Sequence, residues 1–185
     1  MELKSKSSLA IVNWAFRVVI AICNTKVTVI GEENVPKDEP VLYIGNHRSF
    51  FDIVLTYVRV PRLTGYIAKK EIRKVPLLSH WMVNLHCLFL DRDNIKEGLK
   101  TILAAIEKVK SGISICIFPE GTRNSGDEPL LPFHDGSFTL WNLLESASYV
   151  SSAPVRSSPF PRMNLTASIA CSEPITPPIA PITPA

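Results

Sequence analysis

Four short apolar runs constrain this chain more than any other feature. Val41 to Ile44, Thr64 to Ala68, Leu85 to Leu90 and Ile113 to Phe118 are each only four to six residues long. They are rich in β-branched and aromatic side chains, and they read as strands. Strands that are apolar nearly throughout, rather than at every second residue, are covered on both faces. That predicts an α/β fold, a mostly parallel or mixed sheet flanked by helices. The helical patterns lie where this fold needs them. Asp52 to Val60 is a helix closed by Pro61. Ile95, Leu99, Ile102, Leu103 and Ile106 follow the helical period behind Asn94 and Glu97, a capping-box pair, with Gly112 just past the end. Each apolar run stops directly at polar or charged residues: Asn46 and His47, Lys69 and Lys70, Asp91 and Arg92, then Glu120 to Arg123. Ligands of open α/β sheets bind outside the carboxyl ends of the strands. A base and several cations on one rim predict a site for an anionic substrate with a reactive hydroxyl.

The candidate base is His47, and Asp52 follows five residues later. On one straight helix the two side chains would stand about 140° apart, so they do not meet as an ordinary helical pair. They meet if His47 lies in the turn before a helix, with Ser49 as N-cap and Asp52 in the first turn pointing back. Two readings of Asp52 follow. In one it merely completes the Ser-x-x-Asp capping pattern of Ser49 to Asp52. In the other its carboxylate fixes one imidazole nitrogen, leaving the second to act as base toward a hydroxyl. One histidine and one carboxylate are too few for a metal site, so no metal is expected.

The chain has 185 residues, enough for one domain with its own core. Its formal charge of +3 is too small to argue for nucleic acid. All the lysines lie at or before Lys110, which places the positive charge in the first part of the chain. Cys23, Cys87, Cys116 and Cys171 show no paired spacing and read as reduced core residues of a cytosol-facing protein. Residues 1–25 form a separate N-terminal element. Its apolar stretch is interrupted by Asn13 and Arg17, and Lys6, Asn13, Arg17 and Asn24 recur as one polar stripe. Too short and too polar to span a bilayer, it reads either as a helix in the membrane interface anchored by Trp14 and Phe16, or as a first helix on the domain core.

The strings NHRSFFD and FPEGTR resemble two motifs of the phospholipid and glycerol acyltransferase family, in particular the 1-acyl-glycerol-3-phosphate acyltransferases. Asn46, His47 and Asp52 match Asn-His-x-x-x-x-Asp, and Phe118 to Arg123 match Phe-Pro-Glu-Gly-Thr-Arg without a change. Lys69, Glu71, Ile72 and Pro76 resemble a further block, with Ile72 in place of leucine. The segment FLDRDN, Phe89 to Asn94, resembles the connecting element that carries Arg92. LPFHDGSF, Leu131 to Phe138, resembles Pro-Phe-Lys-x-Gly with His134 in place of the lysine. The resemblance implies that His47 deprotonates the free hydroxyl of a lysophospholipid, which attacks an acyl thioester directly, while Asp52 orients the imidazole. It makes Arg123 and Lys69 the phosphate ligands, with donors from Thr122 and the Gly121 backbone. Glu120 is expected on the glycerol or on Arg123, and Asn46, Ser49, Glu71 and Arg92 in support. No cofactor is implied beyond the co-substrate, acyl-CoA or acyl-carrier protein. The implied product is phosphatidic acid, made by a peripheral or monotopic protein at the cytoplasmic face of the cell membrane. Another lyso-lipid acceptor, or an inactive membrane-associated fragment, are the alternatives.

The resemblance runs from about Val27 to Phe138, so the domain is set at residues 26–138. Eight of the 15 prolines follow residue 150, and no lysine does. That composition predicts an extended or disordered tail over 139–185. A domain truncated or diverging at its C-terminal side is the expectation.

Overall fold

The computed structural model describes residues 2–126, 128, 130–134, 148–152, 155–156 and 166–171. In chain order the elements are α1 (Glu2–Ile22), β1 (Lys26–Ile30), β2 (Leu42–Gly45), α2 (Phe51–Tyr57), β3 (Thr64–Lys69), α3 (Pro76–Asn84) and β4 (Leu88–Leu90). There follow α4 (Ile95–Lys110), β5 (Ser114–Ile117), β6 (Ser148–Ser152), β7 (Val155–Arg156) and β8 (Thr166–Cys171). The strands lie in the order β1-β8-β6-β2-β5-β3-β4, with β7 on β8. Pairs β2/β5, β5/β3 and β3/β4 are parallel, so these four strands end on one rim. β6 extends them in parallel beyond β2, whereas β8 is antiparallel to β6 and parallel to β1. The fold is the α/β class that the apolar runs predict.

Period-two geometry explains why the central strands are apolar throughout. Leu42, Ile115 and Ile117 turn to one face, where Ile102, Ala105, Ile106 and Val109 form the apolar stripe of α4. Val41, Tyr43, Tyr66, Cys87 and Cys116 turn to the other, against Tyr57 of α2, with Leu9, Val12 and Phe16 of α1 packed on them. Full burial of one such aliphatic side chain contributes about 1.5–3 kcal/mol. The start of α4 is set as its sequence predicts: the Asn94 carboxamide oxygen accepts from the Lys96 and Glu97 amides at 3.1 and 3.2 Å. Burial pushes the Cys87 thiol up to about 11 and that of Cys116 higher still, so both are inert core residues. Cys23 is only half-buried at the end of α1, and the Cys171 side chain lies outside the described residues.

Several elements differ from the sequence reading. The third apolar run yields a strand only at Leu88–Leu90, because Leu85 closes α3 and His86 turns the chain with φ of 62°. The turn is held against β3, since a Cβ at Gly65 would collide with the His86 carbonyl. Helix α3 had no counterpart in the sequence reading; Pro76 stands at its start, where a missing amide hydrogen costs nothing.

The polar stripe of α1 is divided: Asn13 is half-buried, whereas Arg17 and Asn24 are exposed. The Asn13 side-chain oxygen is buried, and Arg17 borders a crevice with Val27, Leu55 and Val58. A second apolar face points outward, with Trp14 68% and Ile22 78% exposed alongside Ile11 and Val18. Part of the region after residue 138 joins the sheet. Segments 148–152, 155–156 and 166–171 are strands of the sheet, not an appendage to it. Proline and serine content argued against a core, but β6 completes the hydrogen bonding of the open edge of β2, and β8 bridges β6 to β1. Strand formation follows such pairing more than it follows composition.

Candidate active site

Where β2 ends, Gly45 and Asn46 lead into the turn that carries His47, and α2 begins four residues later at Phe51. The His47 Nδ1 lies 3.0 Å from Asp52 Oδ2. That same oxygen accepts from the backbone amides of Arg48 at 2.7 Å and Ser49 at 2.8 Å. Both readings of Asp52 are therefore present in one atom. The carboxylate closes the turn before the helix, and the closed turn presents the imidazole to it. Ser49 departs from the capping box in one detail: its hydroxyl takes the Phe51 amide at 3.2 Å. With Nδ1 bound as donor to Asp52, the Nε2 lone pair is the one available as a base. The imidazole stacks on Phe118 at 4.3 Å, with the planes 13° apart, and its side chain is 15% exposed.

The second half of the site follows β5. Glu120 is 2% exposed, and each carboxylate oxygen is bound to backbone: Oε1 accepts from the His47 amide at 2.9 Å, Oε2 from the Leu131 amide at 3.0 Å. The expected contact with Arg123 is absent among the described residues, and Glu120 joins the His47 turn to the segment at 131. Asn124, which sequence reasoning missed, completes this clamp. Its amide donates to the His47 carbonyl at 2.6 Å, and its side chain donates to the Glu128 carbonyl at 2.7 Å. Only its position directly after the FPEGTR string signals it. His134 ties back as well, its amide donating to the Pro119 carbonyl at 3.0 Å. Residues 135–138 of that block lie outside the described residues.

The cations of the rim divide into engaged and available ones. Lys70 bridges Asp91 and Asp93, both at 2.7 Å, and these hydrogen-bonded carboxylates hold its ammonium well above the usual lysine range. Arg92 donates to the Gly121 carbonyl at 2.6 Å, and burial lowers its guanidinium from the usual range. Gly121 has φ of 66°, and a Cβ there would strike that guanidinium. Arg92 thus props the turn whose glycine makes room for it. Lys69, Glu71, Thr122 and Arg123 are exposed on the rim. The Arg123 guanidinium lies 3.8 Å over the ring of Phe50.

Beneath the dyad an apolar cavity is lined by Val29, Val35, Tyr43, Val60, Tyr66 and Phe118. The second oxygen of Asp52 is buried there with no hydrogen-bond partner among the described residues. An oriented imidazole whose second nitrogen has no partner among the described residues, an apolar recess beside it and exposed cations on the same rim are the groups that proton abstraction from a hydroxyl of an anionic, amphipathic molecule would use.

The acyltransferase family model matches residues 26–158, and the chain belongs to that family. A 1-acyl-sn-glycerol-3-phosphate acyltransferase of Saccharomyces cerevisiae is 35% identical over 127 residues, which are 68% of this chain and 42% of that protein. Its counterpart in Haemophilus influenzae is 32% identical over 146 residues, 75% of this chain and 58% of that one. The chain therefore spans roughly half the length of these relatives. In structure it resembles the 1-acyl-sn-glycerophosphate (LPA) acyltransferase PlsC from Thermotoga maritima, with a TM-score of 0.76 over 96% of this chain and 72% of that one. At 24% sequence identity that likeness concerns the fold.

Proposed function

We propose that the protein transfers an acyl chain from a thioester to the free hydroxyl of 1-acyl-glycerol-3-phosphate, giving phosphatidic acid. The observation that carries this reading is the His47–Asp52 pair, with Nδ1 held at 3.0 Å and Nε2 without a partner among the described residues. His47 takes the hydroxyl proton as the oxygen attacks the thioester carbonyl. The C–S bond then breaks, and the imidazolium returns its proton to the leaving thiolate. Asp52 keeps the tautomer and balances the imidazolium charge. No acyl-enzyme forms, so both substrates are held at once and positioning supplies much of the rate. The apolar cavity takes acyl-chain methylenes, while Arg123 and Lys69 face the phosphate. Coenzyme A and acyl-carrier protein both present the same thioester, and either serves as donor. A thioester-release assay with lysophosphatidate, lysophosphatidylcholine and glycerol 3-phosphate as acceptors tests the assignment. Preference for an acceptor without a phosphomonoester would overturn it.

Arg123→Lys keeps the charge and loses the planar fork, so the KM for lysophosphatidate is expected to rise several-fold while the thioester KM stays unchanged. Steady-state kinetics with each substrate varied in turn provide the check. Lys70 and Arg92 are weaker candidates for the phosphate, because Lys70 is neutralised by Asp91 and Asp93 and Arg92 is already held by the Gly121 carbonyl.

The acceptor and product are membrane lipids, and we assign α1 to the cytoplasmic bilayer interface. Among the described residues no helix is long and apolar enough to cross a membrane. The support comes from the outward face of α1, where Ile11, Trp14, Val18 and Ile22 are exposed while Leu9, Val12 and Phe16 pack inward. Deleting the helix would therefore also uncover core, and a surface substitution is the cleaner test. Trp14→Glu with Ile22→Glu is expected to cut binding to anionic vesicles at least tenfold and leave Tm within a few degrees. Unchanged vesicle sedimentation would reduce α1 to a helix of the core.

A further inference from the structure

Arg123 stands out on the rim for the way it is held. Among the described residues no carboxylate pairs with it. Its guanidinium carbon lies over the Phe50 ring, 3.8 Å from the ring centre. Phe50 is a large apolar side chain left 66% exposed at the turn before α2, where burial does not explain it. We propose that Phe50 is a positioning residue for the acceptor phosphate: its ring is the platform that holds the Arg123 fork in place.

The argument rests on which part of a guanidinium each partner uses. All five N–H donors lie in the plane of the group, so a carboxylate that oriented it would occupy two of them and cancel the charge that a phosphate needs. A ring beneath the face orients the group and leaves the in-plane donors and the charge free. The platform itself is rigidly placed. Phe50 is flanked by Ser49, whose amide binds Asp52 at 2.8 Å, and by Phe51, whose amide binds the Ser49 hydroxyl at 3.2 Å. The carboxylate that orients His47 thus also fixes the turn that carries the ring. Beyond the end of the neighbouring strand β5, Arg123 precedes Asn124, whose amide is bound to the His47 carbonyl at 2.6 Å. The stack and this hydrogen bond are two separate ties between the same two turns. Together they join the turn that carries the phosphate-binding fork to the turn that carries the basic nitrogen. This inference rests on the reading of Arg123 as a phosphate ligand, and the experiment separates the two.

The test compares Phe50→Leu, Phe50→Trp and Arg123→Lys with the unaltered chain, using a short-chain, water-soluble lysophosphatidate. Calorimetric binding of glycerol 3-phosphate serves as a readout independent of turnover. Leucine keeps an apolar side chain and removes the ring, so contact with a bilayer is spared and the stack is lost. Phe50→Leu is expected to raise the acceptor KM and the glycerol 3-phosphate Kd about two- to fivefold, the range for an exposed cation–π contact. Turnover at saturation, thioester KM and Tm stay unchanged, and Phe50→Trp restores affinity. The Arg123 Nε–H proton resonance, assigned by its loss in Arg123→Lys, moves downfield in Phe50→Leu as the ring current disappears. If Arg123→Lys weakens acceptor binding and Phe50→Leu does not, the platform is refuted while the phosphate reading stands. A loss of kcat in Phe50→Leu without a change in affinity likewise refutes it. If neither substitution changes affinity, the phosphate reading of Arg123 fails and the platform falls with it.

Discussion

His47→Ala is expected to lower acyl transfer by about 10²–10⁴-fold, the usual worth of a positioned general base, with little loss of stability. The ring sits on the rim and its principal packing contact is the stack on Phe118, so the fold loses one aromatic contact, about 0.5–1.5 kcal/mol. The turn does not depend on the imidazole, since Asp52 still accepts from the Arg48 and Ser49 amides. Substrate affinities should stay near normal because neither the Arg123 fork nor the apolar cavity is altered. Single-turnover thioester release together with calorimetric unfolding separates the two effects. Retention of more than a tenth of the rate would remove His47 from the chemistry.

Glu120→Gln is expected to act in the opposite pattern, reducing both stability and turnover while sparing affinity. The two carboxylate oxygens each accept a backbone amide from a different segment, His47 and Leu131. Glutamine has one acceptor for two donors, and its NH₂ must face an N–H in a site only 2% exposed. One buried amide left unpaired costs about 1–3 kcal/mol. The turn bearing His47 relaxes away from that clash, and a misplacement on the order of 1 Å can cost about 10²-fold in rate. A lowered Tm, a kcat reduced by one to two orders of magnitude and a nearly unchanged acceptor KM are the expected set. If instead the acceptor KM rises with Tm and kcat preserved, Glu120 contacts substrate, as the motif resemblance implied.

How much of this was legible in the chain depends on the distance over which each signal acts. Runs such as Val41 to Ile44 and the repeat from Ile95 to Ile106 are local patterns, and local geometry converts them directly into strands and a helix with one apolar face. The His47–Asp52 pair was legible for the same reason: five residues apart, it needs only one turn to close. Pairing and packing at longer range were not legible. The segments after residue 138 look like poor core, and they became strands because an open edge of β2 and a strand at β1 were there to pair with. In α1 the domain surface took up Leu9, Val12 and Phe16 and left a second apolar face, with Trp14 and Ile22, outward.

By itself, then, the sequence determined the α/β class, the pairing of His47 with Asp52 and membership of an acyltransferase family. The tertiary structure decided the duties of the remaining polar groups. Glu120 meets the His47 amide across 73 positions of sequence, and no local pattern reports such a contact. Lys70 and Arg92 look as available as Arg123 when written in a line. Only the folded rim sets Asp91 and Asp93 against the first, the Gly121 carbonyl against the second and a bare phenyl ring under the third. Charge is a property of the residue, but whether that charge remains free for a ligand is a property of its neighbours.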